Sequence, residues 1–209
     1  MHFQTRRRAL RSWTGERGGV AMASVMPFDE LNKLTIQIRE RFGGQPLPTE
    51  NNQQIKEDVL DMLLDFFLLS YAMGNTVTNE NLNGDWIPTA EDALETVNKK
   101  VADKTWTERV EEYFSKGGTE DDLIRIAETE MHRDANESAL KTAQKLGATR
   151  KTWATMLDDR VRETHDYLEG ETVGIDDDFY TYDGDHASAP GLFELAENNV
   201  NCRCELIFS

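Results

Sequence analysis

Residues 119–147 read TEDDLIRIAETEMHRDANESALKTAQKLG, and their pattern predicts one long helix. Thr119, followed three residues later by Asp122, has the form of a capping box, which opens a helix. Apolar residues then recur at helical spacing as far as Gly147. They are Leu123, Ile126, Ala127, Met131, Ala135, Ala139, Ala143 and Leu146. We expect this helix to join a helical region before it to a smaller module after it.

Two further helices are predicted near the start of the chain. The first covers residues 28–42, where apolar residues at helical spacing are mixed with charged ones. Pro46 and Pro48 then mark a linker. The second covers residues 53–73. Its apolar arc is too wide for burial on one side, which indicates a central helix or one that meets a second subunit. Residues 74–88 are rich in Asn and Gly and predict a loop.

Two shorter helices are predicted between that loop and the long helix. Thr89 and Asp92 form another capping-box pattern, and a second apolar repeat stops at Gly117. The apolar positions are Leu94, Val97 and Val101 in the first of these helices and Trp106, Val110 and Phe114 in the second. Several helices without catalytic spacing favour a scaffold or docking region over an active site.

The overall charge argues against nucleic acid as the main partner. The chain has 209 residues, of which 38% are hydrophobic, and this is enough for a real core. It carries 23 Lys and Arg against 39 Asp and Glu, a formal net charge of -16, with a pI near 4.6. Such a surface repels phosphate backbones and anionic membranes. We therefore expect no membrane partner and no sequence-specific nucleic acid.

Residues 1–26 are the exception to this acidity, since they contain five arginines against Glu16 alone. We interpret this segment as a basic flexible leader, and a contact of residues 1–26 with DNA is the alternative. The longest apolar stretch, residues 59–73, is shorter than a membrane span. It also contains Asp61 and Asp65, so it indicates a buried helix.

The last sixty residues change character. From residue 150 onward the helical spacing fades, and glycine and proline separate short segments before a predicted terminal strand at residues 202–208. The expected fold class is therefore α+β, with a helical N-terminal region followed by a small α+β C-terminal module. We expect a leader at residues 1–26, a helical docking region at 27–117, and the long helix with the module at 118–209.

The C-terminal module contains a series of short motifs. They are KTW at 151–153, DDRVRETH at 158–165, LEG at 168–170, DF at 178–179, PG at 190–191 and NCRC at 201–204. In this order they resemble the signature of the Mu F-like head morphogenesis proteins, which are minor head proteins of tailed bacteriophages. Thr129, Glu130 and Asn136 extend the resemblance into the long helix. The motif residues that we interpret as structural are Trp153, Asp158, Arg160, Arg162, His165, Gly170, Phe179, Pro190, Asn201, Cys202, Arg203 and Cys204.

The resemblance implies a structural role and no enzymatic reaction. Such proteins are present in low copy number in the procapsid, associate with the portal protein, and assist head assembly or DNA delivery. We therefore expect the portal protein or the major capsid protein as partners, and the phage head, assembled in the host cytoplasm, as the location. Only two cysteines fit such a reducing compartment. Some members carry an ADP-ribosyltransferase domain after this module, whereas this chain ends five residues after Cys204.

His165, Cys202 and Cys204 leave three interpretations open. They would suit zinc, because imidazole and thiolate are its usual ligands, with His186 or Asp158 as the fourth ligand. The tight Cys202–Cys204 spacing favours instead two cysteines that simply pack beside a hydrogen-bonded histidine, with no cofactor. In the third, a cysteine nucleophile with His165 as base would make the protein a cysteine- or metal-dependent hydrolase that acts in head maturation.

The acidic residues of the module need counter-charges. Residues 163–202 contain eleven Asp and Glu and no Lys or Arg. Arg160 and Arg162 lie two apart on a predicted helix, and we expect one of them to form a buried salt bridge with this segment. Arg203 is expected either to pair with Asp158 or to stabilise a neighbouring thiolate.

Overall fold

The computed structural model describes residues 24–25, 28–43 and 53–209. Within these ranges the helices are α1 Phe28–Phe42, α2 Gln53–Leu82, α3 Ala90–Val97, α4 Trp106–Lys116, α5 Glu120–Lys145, α6 Glu163–Asp166 and α7 Ala196–Asn199. The strands are β1 Arg150–Ala154, β2 Thr172–Gly174, β3 Phe179–Tyr180, β4 His186–Ala187 and β5 Glu205–Phe208. The expected α+β class is confirmed. The predicted linker at Pro46 and Pro48, and the predicted leader apart from residues 24–25, lie outside the described residues.

Three helices begin at threonine capping boxes. The hydroxyls of Thr89, Thr105 and Thr119 each accept the backbone N–H three residues on, and the acidic side chain there accepts the threonine N–H. Each box pairs two backbone donors that would otherwise have no partner in the helix. Gly117 ends α4 with a φ of 67°, a left-handed conformation that glycine adopts without strain.

Helix α3 ends earlier than its apolar pattern predicts. Asn98 caps it, and the Asn98 side-chain amide donates to the carbonyl of Leu94 at 2.9 Å. Val101 lies beyond the helix, where it pairs with Lys104 in an isolated antiparallel bridge. The helical assignment of Val101 is therefore wrong, because a tight turn rather than a helix face buries it.

The loop predicted for residues 74–88 is wrong over its first half, because α2 continues to residue 82. Gly74 lies where α2 crosses α5, and a Cβ at this position would be 2.2 Å from the carbonyl oxygen of Ala135. Asn75 is buried, and its amide donates to a threonine hydroxyl of α5 at 2.9 Å. The residues that suggest a loop are therefore contact residues of a close helix pair.

Helix α5 is shared by two apolar cores. The first core packs α1, α2 and α4 against its N-terminal half, and the second packs its C-terminal half against the C-terminal module. Helix α2 is central to the first core and makes its largest interface with α5. Among the residues that the structure describes, none of the helices could span a membrane. Large buried members of the first core include Leu63, Phe67, Trp106 and Met131, and those of the second include Trp153, Leu168, Phe179 and Phe193.

The strands bring the end of the described chain back to the start of the module. Strand β1 is central in an antiparallel sheet of order β2–β1–β5, with Trp153 opposite Leu206. Strands β3 and β4 form a separate two-stranded ribbon in which Phe179 lies opposite Ala187. The cysteine-containing segment just before β5 is thereby placed beside β1 and the short helix α6.

Residues 24–25 also pack against the terminal strand. The backbone N–H of Val25 donates to the Glu205 carboxylate at 3.3 Å, and the Ser24 hydroxyl donates to the same carboxylate. The Val25 side chain is buried in the second core. Residues 24 and 25 therefore contact the C-terminal module.

Candidate functional site

His165, Cys202 and Cys204 form one buried cluster. The Nδ1 atom of His165 lies 3.5 Å from the Cys202 sulfur and 3.4 Å from the Cys204 sulfur. The histidine is 1% exposed, and the two cysteines, both free thiols, are 6% and 3% exposed. The structure therefore brings together the three residues that the sequence singles out, in a site closed to solvent.

The backbone before β5 directs both thiols at the same imidazole. Residues 202–204 precede the strand and do not belong to it. Asn201 has a φ of 57°, in the left-handed region that asparagine tolerates, and it turns the chain into this segment. The terminal strand predicted for residues 202–208 thus begins only at Glu205, and both cysteines lie in the segment before it.

Aromatic rings fix the orientation of His165. Its ring stacks on Phe193 with the centroids 5.3 Å apart and meets Trp153 edge-on at 5.4 Å, while Phe179 packs against Trp153 at 5.1 Å. All three aromatic side chains are fully buried. The Nε2 atom of His165 is buried and has no hydrogen-bond partner among the residues that the structure describes. Packing, rather than a hydrogen bond to Nε2, directs Nδ1 at the sulfurs.

The pKa values of the two thiols are shifted in opposite directions. Burial raises the pKa of Cys202, but hydrogen bonds with Cys204, His132 and His165 outweigh it and hold the pKa of this thiol well below its ordinary value. Burial raises the pKa of Cys204 well above its ordinary value, and the hydrogen bond with Cys202 adds to the shift. Ionisation of one of the two buried thiols therefore disfavours ionisation of the other.

His132 approaches the cluster from α5 and is a residue that sequence reasoning missed. It is 3% exposed, and its imidazole is one of the groups that act on Cys202. One helical turn further on, the amide nitrogen of Asn136 lies 3.2 Å from Nε2 of His132 and donates to the Cys204 carbonyl at 3.3 Å. No spacing in the sequence reveals this contact, because it depends on how α5 packs against the module.

Asp158 and His186, the two residues considered as a fourth metal ligand, are engaged elsewhere. Arg203 donates two parallel hydrogen bonds to the Asp158 carboxylate, at 2.7 and 2.6 Å. These bonds hold the pKa of Asp158 below its ordinary value. Nδ1 of His186 lies 3.0 Å from a carboxylate oxygen of Asp178. Of the two alternatives for Arg203, the structure has the ion pair with Asp158.

The expected salt bridge from Arg160 or Arg162 to the acidic segment is absent from the described part of the chain. Residues 158–162 form turns and α6 has only four residues, so the two arginines do not lie on a helix. The Arg162 guanidinium instead donates to the backbone carbonyls of Glu197 and Val200. Arg162 therefore orders the segment before the cysteines through carbonyl groups rather than carboxylates.

Lys151 supplies a buried cation beside the acidic residues. Its ammonium donates to the carbonyl of Ser188 at 2.8 Å and lies 5.6 Å from the centre of the Phe179 ring. Burial lowers the pKa of Lys151, and the carboxylates of residues 176–178 oppose that shift. The counter-charge expected from the arginines thus comes in part from the central strand.

A second buried polar cluster lies on α5. Arg133 is 1% exposed and lies 2.6 Å from Asp134 and 3.1 Å from Glu130. Burial opposes charge on Arg133, but Asp134, Glu130 and Glu137 outweigh it and raise its pKa. Burial also raises the pKa of Asp134 to about 8; Arg133 opposes this shift, and Glu130 and Glu137 add to it. Several carboxylates crowd one guanidinium, which favours charge on Arg133 and disfavours it on Asp134.

The local backbone geometry requires glycine at two positions of the motifs, Gly170 and Gly191. Gly170 has a φ of 77°, and its N–H donates to the Trp153 carbonyl at 2.9 Å. Gly191 follows Pro190 with a φ of 88°, and a Cβ there would be 2.9 Å from the Cβ of Arg133. The first lets the chain turn back to β1, and the second lets the module approach α5 closely.

The fold and this cluster define a helix-rich α+β protein whose histidine and cysteines are buried together. The family model described as Phage Mu protein F like protein matches residues 90–207, more than half of the chain. The chain therefore belongs to the Phage Mu protein F-like family.

Two curated proteins are similar over shorter ranges. The chain is 36% identical over 86 residues to minor head protein GP7 of Bacillus phage SPP1, a match that covers 39% of this chain and 28% of that protein. It is 38% identical over 88 residues to NAD(+)--arginine ADP-ribosyltransferase EFV of Enterococcus faecalis (strain ATCC 700802 / V583), covering 40% of this chain and 18% of that protein. The chain thus spans less than a third of the length of either relative. No solved structure matches it.

Proposed function

We propose that this protein is a minor head protein of a tailed bacteriophage, a structural component that contacts the portal protein or the capsid and assists head assembly or DNA delivery. The observation that carries the proposal is the family match over residues 90–207, which includes α5 and the whole histidine-cysteine cluster. The similarity to a protein named as a minor head protein supports it. Its location would be the phage head, after assembly in the host cytoplasm.

The burial of the cluster supports a structural role over hydrolysis. A cysteine nucleophile needs a substrate carbonyl within reach and donors for the developing oxyanion. Here both cysteines are buried beside His165, whose ring packs against Trp153 and Phe193. The ADP-ribosyltransferase relative is matched over 18% of its length, so its named activity is not transferred to this chain.

Tyr167 and Tyr182 offer a surface for a protein partner. Their rings meet edge-to-face with the centroids 6.0 Å apart, yet the two residues are 64% and 59% exposed. Aromatic residues are enriched where proteins meet, because they bury a large area with little loss of conformational entropy. We assign this pair to a contact with the portal or capsid. The docking role of residues 27–117 and the DNA contact of residues 1–26 stay predictions from the sequence.

Quantitative mass spectrometry of purified heads tests the proposal. Heads from a phage that encodes the chain are compared with heads from a deletion mutant, using peptides from both ends of the sequence. The expected result is a few copies per wild-type head, with a defect in assembly or DNA delivery when the chain is missing. Absence of the chain from both procapsids and mature heads would contradict the proposal.

Substitutions in the cluster separate the structural role from the hydrolase alternative. If the role is structural, His165→Ala and Cys204→Ser reduce folding and incorporation into heads together. If the chain is a hydrolase, the same variants fold and enter heads normally but lose a processing step. His186→Ala is the matched control, because this histidine lies in the same module but its side chain is 42% exposed and pairs with Asp178.

A further inference from the structure

We propose that His165, Cys202 and Cys204 bind one zinc ion, with His132 as the fourth ligand, and that this ion joins the long helix α5 to the C-terminal segment. This site is independent of the role in the phage head, since it is argued from side-chain geometry alone.

The distances in the cluster fit a zinc tetrahedron. With Zn–N of about 2.05 Å and Zn–S of about 2.3 Å, a nitrogen and a sulfur on the same ion lie about 3.6 Å apart. The observed separations from His165 Nδ1 to the two sulfurs are 3.5 and 3.4 Å. The ligand atoms of the three residues all lie within 4.8 Å of one another. The three groups therefore already stand at the corners of one coordination face.

The donor set selects the metal. Two thiolates and an imidazole are soft to intermediate ligands, which suit zinc and do not suit magnesium or calcium. The set is also enclosed, with each of the three residues at most 6% exposed. Structural zinc sites are closed in this way, whereas catalytic zinc sites keep one position open to water.

The fourth ligand comes from α5. Asp158 is held by Arg203 and His186 by Asp178, so neither is available. His132 is 3% exposed, and its imidazole acts on the Cys202 thiol through a side-chain hydrogen bond. It is not among the three residues whose ligand atoms already lie within 4.8 Å of one another. Its Nε2 now lies 3.2 Å from the Asn136 amide, which also donates to the Cys204 carbonyl. Binding requires the His132 ring to turn from that amide to the ion.

An ion held in this way would connect three separate pieces of the chain. His132 lies on α5, His165 on the short helix α6, and the cysteines just before β5. Helix α6 is only four residues long and has no side-chain cap at its start. Binding to the folded chain alone stabilises the fold by mass action.

Metal analysis of the full chain tests the site. Protein purified without chelator is expected to contain one zinc per chain by elemental mass spectrometry. Metal-stripped protein should then take up added Zn²⁺ with 1:1 stoichiometry in competition with a chromogenic chelator. Cys202→Ser, Cys204→Ser and His165→Ala should lower the affinity at least about tenfold, whereas His186→Ala should retain it. Wild-type protein that takes up no zinc in either form overturns the proposal.

A cobalt spectrum of the wild-type protein gives a test that needs no variant to fold. Co²⁺ in the site should show the intense visible bands of tetrahedral coordination and a thiolate-to-metal charge-transfer band. His132→Ala should weaken the affinity at least about tenfold and change the visible bands while the charge-transfer band persists. An unchanged spectrum and affinity in His132→Ala overturns the assignment of His132. A Cys202–Cys204 disulfide in freshly purified wild-type protein, seen as a loss of two hydrogens in intact mass, overturns the site itself.

Discussion

Gly74 on α2 lies directly against the backbone of Ala135 on α5, so closely that a Cβ at position 74 would be 2.2 Å from the Ala135 carbonyl oxygen. The obstacle is backbone, which cannot move aside as the end of a flexible side chain can. The two longest helices of the described chain therefore cross at a point where only glycine fits.

Gly74→Ala is expected to lower the free energy of unfolding by about 1–3 kcal/mol, the usual cost of overpacking. Urea denaturation followed by circular dichroism measures it. Thr76→Ala is the control, since Thr76 lies on the same helix and is exposed. In an uncrowded helix the glycine substitution would stabilise by up to about 1 kcal/mol, so a gain in stability would contradict the close crossing.

Asp134→Asn is expected to change how stability depends on pH. Burial raises the pKa of Asp134 to about 8 in the folded protein, against about 3.9 in an unfolded chain. Between these values the folded state holds a proton that the unfolded state releases. The contribution of this group is therefore fully present below pH 4 and is lost as the pH rises through 8.

Through this one group the free energy of unfolding changes by at most about 1.4 kcal/mol per pH unit. Urea unfolding from pH 5 to 9 should show a decline in the wild type that is shallower in Asp134→Asn. Asp103→Asn makes the same chemical change at an exposed position and should leave the slope as it is. Parallel profiles for wild type and Asp134→Asn would rule out a protonated Asp134 in the folded state.

Arg203→Lys is expected to destabilise the fold by about 1 kcal/mol at neutral pH, because lysine cannot donate two parallel hydrogen bonds to Asp158. Both side chains are about a quarter exposed, so solvent and salt moderate the effect. Arg203 lowers the pKa of Asp158, and its stabilisation is present above the unfolded value and lost as the pH falls.

The difference between wild type and Arg203→Lys should accordingly shrink in acid, as measured by thermal unfolding at pH 7 and at pH 3. Arg160→Lys is the control, because only the backbone N–H of Arg160 hydrogen-bonds Asp158. Equal losses in the two variants would mean that the paired geometry of Arg203 adds nothing.

The double variant Tyr167→Ala/Tyr182→Ala is expected to fold normally and to enter heads several-fold less well than the wild type. The reason is that the exposed pair supplies buried area at the proposed contact with the portal or capsid. Labelled-peptide mass spectrometry of purified heads gives the copy number. Tyr180→Ala serves as the comparison, since Tyr180 is 60% exposed in the same module but pairs with His186. Full incorporation of the double variant would remove this surface from the proposal.

Local signals in the sequence predict the helix starts and the fold class, because a capping box depends only on residues three apart. Thr89 and Thr119 each begin a helix as expected. The helical conformation of Gly74 and Asn75 is not predictable from the sequence, since their helix is stabilised by contact with α5 rather than by local preference. The predicted salt bridge of Arg162 to the acidic segment is wrong, because α6 is too short for the helical spacing to apply.

The sequence predicts which residues form the candidate site but not which residues surround them. His165 and the two cysteines lie in two recognisable motifs, DDRVRETH at 158–165 and NCRC at 201–204, and they meet in the structure. His132 has no such signal, because its position depends on the packing of α5 against a module that follows it in the sequence. Lys151 lies in a motif, yet its burial beside the acidic residues appears only once β1 is central in the sheet.

The sharing of α5 between both cores has a mechanical consequence. A helix of 26 residues is a rod roughly 39 Å long, and its two halves are clamped in different cores. A pull on either half is therefore transmitted along the rod rather than absorbed at a hinge. The two cores would respond to an applied force as one stiff unit, and neither core would unfold without loosening the other.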